Sequence, residues 1–143
     1  MKQFFLTILI ALCFINPAPK VSLPQLEIGN ATIKIEIADT ETERTQGLSD
    51  RTNLAPDTGL LFIFPTITTP NFWMKDMFFP IDIIWLDENW KIIGIEKNLT
   101  PETYPKLFFP PSPIKYVLEV NAGFSTKNNL KTGDQVKDQR SPR

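Results

Sequence analysis

The chain has 143 residues and a formal net charge of −1, with 42% hydrophobic and 22% charged residues. This composition is typical of one globular domain with a modest core and excludes an intrinsically disordered chain. The sequence contains no basic cluster of the kind that binds nucleic acid. It also has no His and a single Cys, which excludes Cys/His zinc sites and His-dependent nucleophile systems, so we expect no metal and no cofactor.

The first 18 residues have the pattern of a secretory signal peptide. Lys2 precedes an uncharged apolar run over residues 4–15, which is shorter than the roughly 20 residues that a membrane-spanning helix needs. We expect cleavage after Ala18, a single β-rich domain over residues 19–143 and no stable membrane span after cleavage. The protein is then exported to the periplasm or the cell exterior. A buried N-terminal strand and an uncleaved anchor that tethers the protein to the membrane remain open alternatives.

A hairpin and a short helix are predicted next. Two apolar runs, residues 26–28 and 32–38, flank Gly29-Asn30, which is typical of a two-residue hairpin turn. Thr40-Glu41-Thr42-Glu43 fits a capping box and predicts a helix to about Gln46. Because this helix has almost no apolar face, we expect it at the margin of the domain.

The rest of the chain predicts mainly strands. Apolar or alternating runs occur at residues 59–64, 71–79, 81–86, 90–97, 114–120 and 135–136. Since proline cannot donate to a strand ladder, Pro65 is expected to end the first of these strands and Pro80 to separate the second from the third. Asn121 is expected to cap a second short helix that ends near Leu130. The predicted fold class is mainly β (α+β): a curled antiparallel sheet or small barrel with two short marginal helices.

Asp82 is a charged residue in an apolar strand. Both faces of residues 81–86 are apolar, so the strand is expected to be covered on both sides. A buried carboxyl group must then be neutral or acquire a cation and hydrogen-bond donors. Arg44, Arg51 and Lys75 are the candidate cations, and arginine is favoured because its planar fork binds a carboxylate through two bonds. A structural ion pair and a ligand-facing cluster both remain open.

Three further side chains are candidates for binding or catalysis. Lys75 alternates with Trp73, which fits an anion or sugar site floored by Trp73, although an edge-strand lysine that discourages aggregation gives the same pattern. Glu119 and Asp82 could form the carboxylate pair of a glycoside-hydrolase type of reaction. Sequence alone gives no distance between these two carboxyl groups.

Several segments together resemble a known family. They are ERTQGLSDR, GLLFIF, FWMKDMFFPIDIIWLD, a proline-rich stretch and YVLEVNAG, followed by Gly133-Asp134. In this order they resemble domain-of-unknown-function family 192, an uncharacterised conserved family of bacteria and archaea, over roughly residues 33–136. The resemblance implies no activity, and it places the family's polar positions at Arg44, Arg51, Lys75, Asp82 and Glu119. Ser49, Asp76 and Met77 depart from the residues common in the family.

We therefore expect a small exported binding or interaction module with a small-molecule or protein ligand and no nucleic-acid partner. Its expected ligand-binding residues are Arg44, Arg51, Trp73, Lys75, Asp82 and Glu119. The alternative is a metal-free hydrolase or lyase that uses Asp82 and Glu119 as acid and base. Whether the protein is an enzyme, and in which oligomeric state it exists, stays open at this stage.

Overall fold

The computed structural model describes residues 23–140, so the predicted signal peptide at residues 1–18 lies outside the described part of the chain. The described residues form seven strands, two short α-helices and one turn of 3-10 helix at Pro101–Thr103. The strands and α-helices in chain order are β1 (Gln25–Ile28), β2 (Ala31–Ala38), α1 (Glu41–Gln46), β3 (Thr58–Thr68), β4 (Ile81–Leu86), β5 (Ile92–Leu99), β6 (Ile114–Asn121), α2 (Phe124–Lys127) and β7 (Val136–Asp138). Neither described helix is long and apolar enough to cross a membrane.

The seven strands form one curled sheet, in the order β5-β4-β6-β3-β2-β1-β7, that makes a half-barrel. The predicted mainly β fold with two short helices is confirmed. All neighbouring pairs are antiparallel except β2 and β3. These two run parallel because α1 and the loop after it carry the chain back to the end of the sheet where β2 began. The outermost strands approach each other, since Lys91 beside β5 forms an isolated bridge with Gln135 beside β7.

Buried side chains form two clusters, one on each face of the sheet. All seven strands contribute to the inner cluster, which the curl encloses; among its members are Leu26, Leu61, Ile84, Ile92 and Val120. The outer cluster combines the other strand face with side chains from covering loops, such as Leu48, Met74, Met77 and Phe108. The outer face therefore depends on irregular segments for its cover, and clefts between those segments can reach the sheet.

Two predicted strand boundaries are wrong. β3 does not end at Pro65 but continues to Thr68, and its pairing with β6 shifts register between Ile63 and Thr68. A register irregularity tolerates proline because no ladder hydrogen bond is needed from that residue. Residues 71–79 do not form a strand: Phe72 makes one isolated bridge with Phe108, and a turn follows in which Asp76 has a φ of 55°.

The second helix is shorter than predicted and is capped differently. α2 ends at Lys127, and Gly123 occupies the position that was expected for Asn121. The Asn121 side chain instead donates to the carbonyl oxygen of Leu54 at 3.0 Å, which fastens the loop before β3 to the end of β6. The capping box of α1 is confirmed, because Thr40 Oγ1 accepts from the Glu43 amide at 3.2 Å.

Candidate functional site

A pocket of about 340 Å³ opens on the outer face of the sheet, between α1 and the loop that follows β3. We call it the α1 pocket. Its rim is mostly polar and its walls are mostly aromatic and aliphatic. The residues that line it are Glu41, Arg44, Thr45, Gln46, Gly47, Leu48, Ser49, Phe62, Phe64, Pro70, Asn71, Phe72, Trp73, Met77 and Glu119. Apolar walls with a few polar groups are typical of small-ligand sites, and this volume is near the lower end of their range.

Glu119 is the buried polar group of the α1 pocket. It lies on β6 opposite Leu60 of β3 and Ile83 of β4, and only 5% of its surface is exposed. Among the described residues its Oε2 atom has no hydrogen-bond partner. Burial removes the carboxyl group from water and raises its pKa from 4.5 to about 8. At neutral pH this side chain is therefore mostly protonated.

Gly47 leaves the space at the base of the pocket open. This residue ends α1 with a φ of 50°, a conformation that favours glycine, and its amide donates to the Glu43 carbonyl at 2.8 Å. A methyl group at this position would lie 3.3 Å from the Phe62 ring and 4.0 Å from Glu119 Oε2. The glycine that stops the helix is thus also the residue that leaves room beside the buried carboxyl group.

Arg44 on α1 is fixed at the rim. Its NH1 donates to the carbonyl oxygens of Asp39 and of Ile63, the latter at 2.9 Å. The guanidinium carbon lies 5.4 Å from the centroid of the Phe64 ring, within reach of a cation–π interaction. These contacts hold α1 against β3. Arg44 therefore attaches the helix to the sheet, although none of the helix residues is buried.

Arg51 acts on Glu119 through its charge, but it forms its ion pair with Glu36. Its NH1 lies 2.8 Å from Glu36 Oε2 in a half-buried ion pair. The positive charge of Arg51 lowers the pKa of Glu119, opposing the larger effect of burial. Arg51 does not line the α1 pocket. It acts on the pocket through its charge.

Trp73 and Lys75 are separated by the turn that replaces the predicted strand. Trp73 lines the pocket and is 47% exposed, while its neighbour Phe72 packs edge-on against the rings of Phe62 and Trp85. Lys75 is exposed, lies 4.0 Å from Asp76 and does not line the pocket. Strand alternation, which was expected to place Lys75 beside Trp73 on one face, therefore does not apply here.

Asp82 is fully buried, and no basic side chain within residues 23–140 forms an ion pair with it. Its Oδ1 accepts from the amides of Asn98 at 2.8 Å and Gly123 at 3.2 Å, and its Oδ2 accepts from Ser125 at 2.9 Å. The prediction that Arg44, Arg51 or Lys75 would pair with it is wrong, because backbone amides of β5 and of the start of α2 supply the donors instead. Asp82 ties β4 to β5 and to α2.

The structure does not bring Asp82 and Glu119 together. Asp82 is opposite Val120 and Glu119 is opposite Ile83, so the two carboxyl groups point to opposite faces of the sheet. The predicted acid–base pair is therefore not formed. Of the six predicted residues, Arg44, Trp73 and Glu119 line one pocket.

A second depression, of about 440 Å³, lies beside α2 and is lined by Asp57, Asn121, Lys127 and eight neighbouring residues, none of them a predicted ligand-binding residue. No buried side chain without a hydrogen-bond partner lines it in the described part of the chain. Nor do three His, Cys, Asp or Glu side chains gather as a metal site anywhere in residues 23–140. The α1 pocket differs from the second depression because it is lined by Glu119, a buried side chain with an unpaired oxygen atom among the described residues.

Sequence reasoning missed most of the pocket walls. Gly47 and the aromatic residues of GLLFIF line the pocket but were not among the predicted site residues. The alternation of Phe62 and Phe64 along β3 was a usable signal that both point to the same side. Which loop covers that side could not be read from the pattern.

Comparisons place this architecture among known proteins. A model of the family DUF192, described as Uncharacterized ACR, matches residues 24–137. A proposed transcription regulator from Sinorhizobium meliloti 1021 is 28% identical, with a TM-score of 0.76 over 83% of this chain and 97% of that one. A protein of unknown function from Novosphingobium aromaticivorans DSM 12444 is 25% identical, with a TM-score of 0.75 over 85% and 89%. No curated protein matches the sequence.

Proposed function

Because the chain belongs to the DUF192 family, whose function is unknown, we propose from its own sequence and geometry that it is a small exported binding module. The α1 pocket takes a small-molecule ligand. The observation that carries this proposal is the buried Glu119, which lines the aromatic-walled pocket and whose Oε2 has no hydrogen-bond partner among the described residues. A buried polar atom left unpaired costs about 1–3 kcal/mol, and a ligand that supplies its partner recovers that free energy.

The pocket residues divide into groups with distinct roles in this proposal. Trp73 and the phenylalanine rings provide apolar contact area, and Glu119 provides the polar contact at the base. Arg44 holds the rim, because its bonds to the Asp39 and Ile63 carbonyls keep α1 in place. Lys75 and Asp82 lie outside the pocket lining, and we assign Asp82 a structural role.

Export is proposed from the N-terminal sequence alone. Residues 1–18 combine Lys2 with an uncharged apolar run, as a secretory signal does. Expression of the full chain, cell fractionation and N-terminal sequencing test this. The mature protein is expected outside the cytoplasm and starting at residue 19, and a cytoplasmic chain that retains its first residues contradicts the proposal.

Ligand binding is tested by a fragment screen read from the tryptophan indole N–H signals in NMR spectra. The three tryptophans differ: Trp73 lines the pocket and is exposed, Trp85 is buried in the core, and Trp90 stacks on Tyr116 with ring centroids 3.9 Å apart. Compounds that bind the α1 pocket should shift Trp73 and leave Trp90 unchanged.

The matched variants are Trp73→Ala and Lys75→Ala. Both side chains are exposed in the same loop, but only Trp73 lines the pocket. We expect Trp73→Ala to lose binding of the compounds found in the screen, and Lys75→Ala to retain it. If no compound shifts Trp73, or if both variants bind as the unaltered protein does, the pocket is not a ligand site.

A further inference from the structure

Resting on the proposed function, we infer that the ligand of the α1 pocket is a small organic cation, a primary ammonium ion bound at Glu119. Its N–H groups would donate to the Glu119 carboxylate, and its hydrocarbon part would pack against Phe62, Phe72 and Trp73. A buried carboxyl group and several aromatic rings share one pocket. This combination favours a cation, because aromatic faces are negative and because a buried charge needs a charged partner.

The base of the pocket is too apolar for a polyhydroxylated ligand. Apart from Glu119, the side chains deep in the pocket include Leu48, Phe62 and Met77, all buried and all without a strong hydrogen-bonding group. A sugar would bring several hydroxyl groups to this surface and leave most of them unpaired, which disfavours its binding. An alkylammonium ion concentrates its polar atoms at one end.

The arginines near the pocket are already engaged. Arg51 is paired with Glu36 at 2.8 Å, and Arg44 donates to two backbone carbonyls. Glu41 and Arg44 both line the pocket, so its rim carries one acidic and one basic side chain. The strand neighbours of Glu119 on either side, Leu60 and Ile83, are uncharged. A cation that reaches the base would therefore meet the Glu119 carboxyl group directly, while Arg51, although paired with Glu36, still acts on that group through its charge.

Binding must release a proton. The ammonium ion enters with its charge, the Glu119 carboxyl group gives its proton to solvent, and a carboxylate–ammonium pair remains. Since burial raises the pKa of Glu119 to about 8, nearly one proton is released for each ligand bound at pH 7. The affinity should then rise up to about tenfold per pH unit below pH 8 and level off above it.

The test uses n-butylammonium and its uncharged analogue n-butanol as probes. Affinity is measured by NMR titration of the Trp73 indole signal, and proton release by calorimetry at pH 7 in two buffers with different ionisation enthalpies. With the unaltered protein we expect n-butylammonium to bind at least about tenfold more tightly than n-butanol, with release of close to one proton.

Glu119→Gln keeps the shape of the side chain but cannot ionise, and it should weaken n-butylammonium binding at least about tenfold with little effect on n-butanol. Glu102→Gln is the control, since it makes the same substitution at an exposed residue outside the pocket lining. It should bind n-butylammonium as the unaltered protein does. The comparison of the two probes on the unaltered protein needs no variant to fold.

Equal binding of the two probes, absence of proton release, or full retention of n-butylammonium binding by Glu119→Gln would each overturn the inference. So would failure of both probes to bind. If neutral or anionic compounds nevertheless shift Trp73 in the fragment screen, the pocket remains a ligand site of different chemistry. If no compound of any charge shifts Trp73, the proposed binding function fails as well.

Discussion

Asp82 and Glu119 lie on adjacent strands, one residue out of register, and their side chains leave the sheet on opposite faces. Both are buried, at 0% and 5% exposure. Asp82 accepts hydrogen bonds from three backbone amides. Glu119 Oε2, in contrast, has no hydrogen-bond partner in the described part of the chain. The first carboxyl group is part of the framework, and the second is the one that we propose binds a ligand.

Asp82→Asn should destabilise the protein without changing the α1 pocket. Asparagine has an NH2 group in place of one carboxylate oxygen, and this group cannot accept a hydrogen bond. At least one of the three backbone N–H donors would then be unpaired, so we expect a loss of about 2–3 kcal/mol in the free energy of unfolding. Asp87→Asn is the control. Asp87 also accepts hydrogen bonds from two backbone amides, those of Asn89 and Lys91, but it lies in an exposed turn. It should cost under about 1 kcal/mol. Urea unfolding measures both, and equal losses would contradict the role assigned to Asp82.

Glu119→Gln should stabilise the protein at neutral pH but not in acid. The folded-state pKa of Glu119 is about 8 against an unfolded value of 4.5, so the unfolded state binds fewer protons between these values and stability falls as pH rises through this window. Glutamine cannot ionise, so the variant does not lose stability as the pH rises through this window. The variant should match the unaltered protein below pH 4.5 and exceed it by about 3 kcal/mol at pH 7. Urea unfolding from pH 4 to 9 tests this, and a difference that does not change with pH would contradict it.

Arg51→Gln should raise the pKa of Glu119 further. Arg51 lowers this pKa through its positive charge, and glutamine removes the charge. Carboxyl ¹³C shifts followed against pH should show a higher midpoint than in the unaltered protein. Glu36→Gln removes the partner of Arg51 but keeps the arginine charge, so it should not raise the midpoint. If Arg51→Gln leaves the midpoint in place, Arg51 does not influence the pocket.

Gly47→Ala should both strain the backbone and narrow the pocket. Gly47 and Gly133 have positive φ angles of 50° and 101°, so alanine at either position costs about 1–2 kcal/mol. Only at Gly47 does the added methyl group meet the Phe62 ring and approach Glu119 Oε2. Thermal unfolding should therefore show losses for both variants, while NMR titration with pocket ligands should show weaker binding for Gly47→Ala alone. Equal ligand affinity in the two variants would show that this space is not used.

Local sequence patterns predicted the elements whose causes are local. The capping box at Thr40 and Glu43 and the Gly29-Asn30 hairpin each depend on residues a few positions apart, and both are present. The same reasoning was wrong for Pro65 and for residues 71–79. Pro65 is tolerated because the register of β3 against β6 is irregular there, and Phe72 is held by Phe108, which is 36 residues away.

The sequence by itself determined that Asp82 lies in a strand covered on both faces, because burial follows from neighbouring residues. It also named Arg44, Trp73 and Glu119 among the candidate site residues. Only the tertiary structure decided which of these side chains meet. The hydrogen-bond donors of Asp82 come from residues 98, 123 and 125, and the α1 pocket joins α1, β3, β6 and a loop. Register between distant strands sets the face to which each side chain points, and a shift of one residue reverses it. That register placed Asp82 and Glu119 on opposite faces and left a single buried carboxyl group, Glu119, at the base of the α1 pocket.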